Sequence, residues 1–333
     1  MAATIRDVAI AAGVSASTVS RAFTAPDLVG AATRQRVHDV AEQLGYLPNR
    51  QASGLITGRT GNIGLVVPDL ANPFYTELLK PLQGRARDAD YELVLADSDE
   101  DPELEPVLVR RLAGQVDGLI LCSPRMSDEQ LAALPAGLPI VVMYREVPRR
   151  PCVLVDYADG MEQVVRHLVA LGHRRIAYVA GPRGSRAGAL RREGLLTAIG
   201  TSGAELVEIG HHPPHFDGGG AAADPVLASG ATAVIAFNDL VALGLLAMFA
   251  QRGVRVPAER SVVGCDDVAI TAMAGVPLTT VSVPFARAVR NAVDLLLATI
   301  AGPRTGAGTG PVPRPTRLPT HLVARGSTGP VPR

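Results

Sequence analysis

Polar side chains end several of the apolar runs in this sequence, and their types suit hydrogen bonding to a hydroxyl-rich molecule. Asp69 follows GLVV, Asn238 and Asp239 follow VIAF, and Asp266 and Asp267 follow SVVGC. Arg191 lies in GSRAGALRREG, early in a helical stretch after another apolar run. Carboxylate, amide and guanidinium groups can bracket vicinal hydroxyls, with Phe74 and Phe285 as an apolar face. Arg191, Asn238 and Asp266 read as ligand groups. Asp69 and Asp239 also stand where they can cap the helices that follow, and Asp267 is balanced between the two roles. His211, His212 and His215, in HHPPH, raise the question of a metal site. The prolines and the missing carboxylate–histidine pattern argue against one, and a loop at a cleft rim, with His212 touching a ligand, is the better reading.

A second constellation lies near the start, in DVAIAAGVSASTVSRAF. Thr4 with Asp7 three residues on makes a capping-box start, Gly13 ends that helix, and Ser15 caps the next. Ala9 and Gly13 suit a close helix crossing and a turn with φ > 0. Val8, Val14 and Val19 form a small core. Ala16, Ser17, Ser20 and Arg21 are left on the exposed face of the second helix. An arginine there can bond a guanine edge in the major groove, Ser17 a base edge or phosphate, and Ala16 a thymine methyl. A plain helical hairpin with a solvated arginine is the alternative that small-residue spacing alone leaves open. A third helix, AATRQRVHDVAEQLG, presents Val37, Val40, Ala41 and Leu44 on one face and closes at Gly45.

These groups need scaffolds. The chain has 333 residues and 47% apolar composition, enough for two or three domains with cores. Its formal net charge is +0, so any nucleic-acid surface is local. From residue 62 onward, short apolar runs alternate with helical patterns, the signature of βαβ units with sheets buried on both faces. The series is doubled: VDGLILCSP answers ATAVIAFND, and NIGLVVPDL answers RIAYVAGPR. Two similar α/β lobes with a cleft between them fit, and ligands of such lobes sit at the carboxyl ends of strands. ATAVIAFNDLVALGLLAMFA is interrupted by Asn238 and Asp239 and reads as strand then helix, not as a membrane span. No signal peptide is expected, and Cys122, Cys152 and Cys265 read as reduced thiols of a cytoplasmic protein.

TIRDVAIAAGVSASTVSRAF, GYLPNRQASGL and TGRTGNIGLVVPDLANPF together resemble the lactose/galactose repressor family of bacterial transcription regulators. The match continues, in order, through HLVALGHRRIAYVAGP, AFNDLVALGLL, SVVGCDD, PLTTVSVPF and LVARGSTG, over essentially the whole chain. The resemblance implies an α plus α/β protein: a helix-turn-helix headpiece (1–46), a hinge helix and linker (47–60), and a two-lobed periplasmic-binding-protein-like core (61–333). The N-lobe would comprise about 61–156 and 286–316, the C-lobe about 157–285 and 317–326. It implies a homodimer on a pseudopalindromic DNA operator, with the second helix (Ala16 to Phe23) in the major groove. The DNA-facing set would be Thr4, Ser15, Ala16, Ser17, Ser20 and Arg21 from the headpiece and Asn49, Ala52 and Leu55 from the hinge, Leu55 wedging into the central step. It places Phe74, Arg191, Asn238, Asp266 and Phe285 at effector-contacting positions; Asp69, Tyr144 and His212 complete the expected effector set.

The chain departs from the family pattern at several points. Gly54 lies inside the hinge, which raises its ordering cost on DNA, and Gly30 replaces a serine cap. Tyr144 stands where relatives often carry aspartate and Val283 where glutamine is common, so the pocket is less polar. There is no tryptophan, which leaves aromatic stacking to Phe74, Tyr144 or Phe216. A sugar is the effector class implied, with a purine or nucleoside second and a sugar-transport protein a distant third. No nucleophile elbow, Walker loop or dinucleotide fingerprint is present, so an enzyme is not expected, nor a cofactor, a metal or a membrane partner. No leucine heptads follow the core, so a dimer is expected and not a tetramer.

Overall fold

The computed structural model describes residues 3–24, 26–46, 59–302 and 314–332. They fall into two compact units, one of residues 1–62 with 115–117, the other of 63–114 with 118–333.

Three α-helices are described in the first unit, α1 (Ile5–Ala12), α2 (Ala16–Thr24) and α3 (Ala31–Gln43). Thr4 and Asp7 form a reciprocal capping box on α1. Gly13 then takes φ 64, a left-handed turn that only glycine adopts without strain. Ser15 Oγ accepts from the Thr18 amide at 3.1 Å and starts α2. Val8, Val19 and Val37 are fully buried and close a core with Ala9, Ala12, Ala22 and Ala41. Small residues dominate that core, so the helices approach closely and the unit stays small. Leu44 departs from expectation. It is the C-cap of α3 and 41% exposed. Gly45 (φ 63) turns the chain back, and Tyr46 packs on the core in its place, its ring 6.1 Å from that of Phe23. After the undescribed segment, buried Asp117 accepts from the Thr60 amide (2.7 Å), the Thr60 hydroxyl (3.1 Å) and the Gly61 amide (3.0 Å).

The second unit is built on two six-stranded sheets. The first contains β1 (Asn62–Val67), β2 (Glu92–Asp97), β3 (Gly118–Cys122), β4 (Ile140–Met143), β5 (Cys152–Asp156) and β11 (Thr316–Pro319), in the order β11-β5-β4-β3-β1-β2. The second contains β6 (Arg175–Ala180), β7 (Glu205–His211), β8 (Ala233–Ala236), β9 (Ser261–Asp266), β10 (Thr279–Ser282) and β12 (His321–Val323), in the order β12-β10-β9-β8-β6-β7. The central pairs are parallel, and β12 joins β10 antiparallel. Every residue of β3, β4, β8 and β9 is buried, as continuous apolar runs in doubly covered sheets require.

Nine helices are described in this unit: α4 (Pro73–Arg87), α5 (Leu104–Leu112), α6 (Asp128–Ala132), α7 (Tyr157–Ala170), α8 (Arg186–Ser202), α9 (Phe216–Ala228), α10 (Asp239–Gln251), α11 (Ile270–Met273) and α12 (Phe285–Ala301). The chain changes sheets three times. It leaves β5 directly into α7, which packs on α8; it leaves β10 for α12, which packs on α4; and it crosses again between β11 and β12. The expected division between residues 316 and 317 therefore falls inside β11, and the switch is at Thr320. Pairing of Thr316 through Pro319 with Val153 through Asp156 holds that strand in the first sheet. The glycine run in FDGGGAAAD has a packing cause: a Cβ on Gly219 would collide with the Val241 carbonyl oxygen, so α9 and α10 cross almost backbone to backbone. None of the described helices is long and apolar enough to cross a membrane.

Candidate functional site

Two sites are built on this frame, one in each unit. On the headpiece, Ala16, Ser17 and Arg21 are exposed on α2, while Ser20 is half-buried. Thr4 and Ser15 serve their own helices. The Thr4 hydroxyl donates to Asp7 Oδ2 at 2.7 Å, and Ser15 Oγ lies 2.8 Å from Ser17 Oγ and 2.9 Å from Thr18 Oγ1. A hydroxyl retains further bonding capacity, so capping does not remove these residues from a phosphate. The first 46 residues carry four arginines (Arg6, Arg21, Arg34, Arg36) against four acids (Asp7, Asp27, Asp39, Glu42), so the face is set by placement rather than by net charge. Asn49, Ala52 and Leu55 lie outside the described residues.

In the second unit, the carboxyl ends of strands from both sheets and the starts of four helices meet around a narrow cleft that opens to solvent. Phe74, Arg191, Asn238 and Asp266 of the expected set line it. Asn72 caps α4, its Oδ1 accepting from the Phe74 amide at 3.0 Å, and Pro73 occupies the first helical position, where its missing N–H costs nothing. That start seats Phe74 at the cleft wall. Ser185 caps α8 and brings Arg191, two turns later, to the floor. There the guanidinium stacks over the Tyr157 and Phe237 rings, 4.5 and 5.1 Å from their centroids, and donates from Nη2 to Asp266 Oδ1 at 2.9 Å and from Nη1 to the Phe237 carbonyl. Asp266 ends β9 with φ 125. Burial pushes its carboxyl up to about 6, against the pull of Arg191 in the other direction. Asn238 caps α10, accepting from the Val241 amide at 2.9 Å, and donates Nδ2 to the Pro214 carbonyl at 2.8 Å.

The other expected residues take different places. Tyr144 and Phe285 sit behind Phe74, their rings 5.4 and 5.1 Å from its own, so they back the cleft wall and do not line it. Tyr144 is 1% exposed and its hydroxyl has no hydrogen-bond partner. Asp69 caps no helix; Asn72 does. Asp69 Oδ1 accepts from the Ala71 amide at 2.8 Å, and its buried Oδ2 faces His215 Nδ1 at 3.5 Å. His212 is half-buried beside the sheet edge, its amide donating to the Ala180 carbonyl at 2.9 Å. His211 Nδ1 lies 2.7 Å from the Gly181 carbonyl oxygen. Phe216 is 47% exposed and does not line the cleft. Asp239 is not a cap either: buried under the floor, it accepts from the Val268 amide at 3.0 Å and from the Thr280 hydroxyl, tying α10 to the loop after β9. Burial and the neighbouring Asp266 push its carboxyl up to about 7. Asp267 is a structural partner of Arg325, at 2.6 Å.

The cleft also contains groups absent from the expected set: Asn72, Tyr75, Glu100, Ser123, Arg125, Tyr157, Ser185 and Phe237. Applied to β3, the strand-end rule selects Ser123 and Arg125 in CSPR. Arg125 is 7% exposed and forms a two-pronged pair with Glu100, Nε to Oε2 at 2.6 Å and Nη2 to Oε1 at 2.8 Å. Below it, buried Glu105 accepts from the Arg125 and Met126 amides and fixes that loop. Glu100 comes from the connection between β2 and α5 and Glu105 from the first turn of α5, so their roles emerge only when the chain is folded.

A headpiece with an exposed arginine-bearing second helix and a two-sheet core with a polar cleft define a DNA-binding regulator with a small-molecule pocket. Residues 4–49 match the family described as bacterial regulatory proteins, lacI family, and residues 165–328 match the periplasmic binding protein-like domain. The HTH-type transcriptional regulator DegA of Bacillus subtilis is 33% identical over 341 residues, covering 99% of each chain. A solved lac repressor dimer, bound to operator and the anti-inducer ONPF, superposes with a TM-score of 0.86 at 29% identity over 99% of this chain and 100% of that one. A solved complex of the transcriptional regulator CelR with cellobiose gives 0.70 at 33% identity, covering 98% and 99%. The chain belongs to the lacI family of bacterial regulatory proteins.

Proposed function

We propose that this protein is a repressor that binds a pseudopalindromic operator as a homodimer and is switched by a small sugar-like effector in the cleft. The observation that carries the reading is the pairing, in one chain, of two sites: the exposed Ala16–Ser17–Arg21 face of α2, and a cleft whose polar groups come from strand ends of both sheets. On DNA, α2 enters the major groove with Ala16, Ser17 and Arg21 as base readers and Ser20, Thr4 and Ser15 near phosphates; Asn49, Ala52 and Leu55 act at the minor groove. In the cleft, Arg191, Asn238 and Asp266 hold the effector against Phe74, which Phe285 and Tyr144 back from behind; Asp69 and His212 lie outside the cleft lining. The lac repressor dimer on its operator and the CelR–cellobiose complex support the two halves of this reading. The chain carries out no reaction of its own and works in the cytoplasm on genes of carbohydrate uptake or catabolism.

The switch works because the cleft is made from both sheets. An effector that contacts both favours one angle between them, and it shifts operator affinity only by its differential affinity for the two states. The test is a random-sequence DNA selection with the full chain, with and without a ligand found by thermal-shift screening. A two-fold symmetric motif whose recovery changes with a sugar is expected. Recovery of no motif, or of one indifferent to every stabilising ligand, would end the proposal.

A further inference from the structure

The cleft contains two buried guanidinium groups, and neither is available as a free cation. All five N–H donors of Arg125 have acceptors: Nε and Nη2 on Glu100, Nη2 also toward the Tyr75 hydroxyl at 3.5 Å, and Nη1 on the Ser123 carbonyl (2.8 Å) and Ser123 Oγ (3.1 Å). Arg191 is paired with Asp266, and both side chains are almost wholly buried. Each positive charge is therefore matched by a carboxylate within the same wall. The starts of α4, α7, α8 and α10 do favour anions, but Asn72, Asp156, Ser185 and Asn238 already occupy first-turn amides of those helices. A phosphate or carboxylate entering here would be desolvated beside two carboxylates, with no unpaired cation among the described residues that line the cleft. A hydroxyl meets the opposite situation. It can donate to the spare lone pairs of Asp266 and Glu100 and accept from the N–H groups left on Arg191, whose buried Nε has no partner.

We infer that the effector is an uncharged polyhydroxylated ring, and that sugar phosphates and uronic acids are rejected by the two internally neutralised arginines. This rests on the carbohydrate reading given above. Calorimetric titration of the full chain with neutral sugars, each beside its 6-phosphate and its uronic acid, should show a neutral member binding at least 100-fold tighter than its anionic counterparts. A phosphate or uronate that binds as well as its neutral parent overturns the inference. A nucleoside binding where every sugar fails ends the carbohydrate reading and leaves the charge rule standing. Inorganic phosphate tests the charge rule without any sugar. Wild type should show no saturable binding, and Glu100→Gln, which removes the charge opposing Arg125 while keeping a hydrogen-bonding side chain, should bind phosphate saturably. Saturable phosphate binding by wild type that Arg125→Met abolishes, or no gain in Glu100→Gln, overturns it.

Discussion

Replacing Arg191 by leucine removes the cation at the floor of the cleft and leaves its partner in place. Asp266 is 4% exposed, and its carboxyl already sits near 6 with the guanidinium 2.9 Å away. Breaking a buried pair from one side costs about 3–5 kcal/mol, because the remaining charge has neither water nor partner. Lost stacking on Tyr157 and Phe237 adds roughly 0.5–2 kcal/mol per ring. Against a total stability on the order of 5–15 kcal/mol, Arg191→Leu should lose a large share. The loss should depend on pH. A carboxyl whose folded pKa is raised above 3.8 binds protons better folded than unfolded, so its contribution is present at low pH and disappears as pH rises through the folded value. Without Arg191 that value rises further, at about 1.4 kcal/mol per unit, so the deficit should be larger at pH 8 than at pH 5.5. Urea denaturation of wild type, Arg191→Leu, Asp266→Asn and the double variant at both pH values measures it. The double variant should recover part of the loss, with a coupling of roughly 1–3 kcal/mol. A deficit below about 1 kcal/mol at pH 8, equal deficits at the two pH values, or strict additivity would show that the pair is not the electrostatic centre described here.

Asp239, held near 7, should by the same sign make wild type lose stability as pH rises from about 4 to about 7; Asp239→Asn should flatten that slope, and parallel pH profiles would refute the assignment. Gly13→Ala should destabilise the headpiece by about 1–2 kcal/mol, since a Cβ there meets nothing within 4 Å and only the left-handed φ is penalised; an unchanged headpiece melting temperature would count against it. Arg21→Ala should relax base preference in each half-site by about 1–3 kcal/mol of discrimination, whereas an unchanged motif from a random-sequence selection would remove Arg21 from the readers. Leu55→Ala should weaken operator binding and leave effector affinity of the DNA-free protein untouched; a change in that affinity would contradict separate modules.

Local chemistry was legible in the sequence. The capping box at Thr4, the turn at Gly13 and the start of α2 at Ser15 each depend on residues within a few positions of one another, so their spacing determines them. Buried parallel strands were equally legible, because a sheet covered on both faces demands continuous apolar runs. The strand-end rule found Asp266 and Asn238 for the same reason: the last residue of such a run has one place to go. Tertiary structure decided what depends on which loops meet. Arg125 and Glu100 lie on different connections, and only folding pairs them. Asp239 and Asp267 sit one residue from cleft positions, yet contacts with Thr280 and Arg325 make them structural. Tyr144 ends a strand as a ligand group would, but Phe74 stands in front of it. Periodicity assigns a residue to a face. Whether that face meets solvent, a ligand or another side chain is set by elements far away in the chain, through packing that no local pattern encodes.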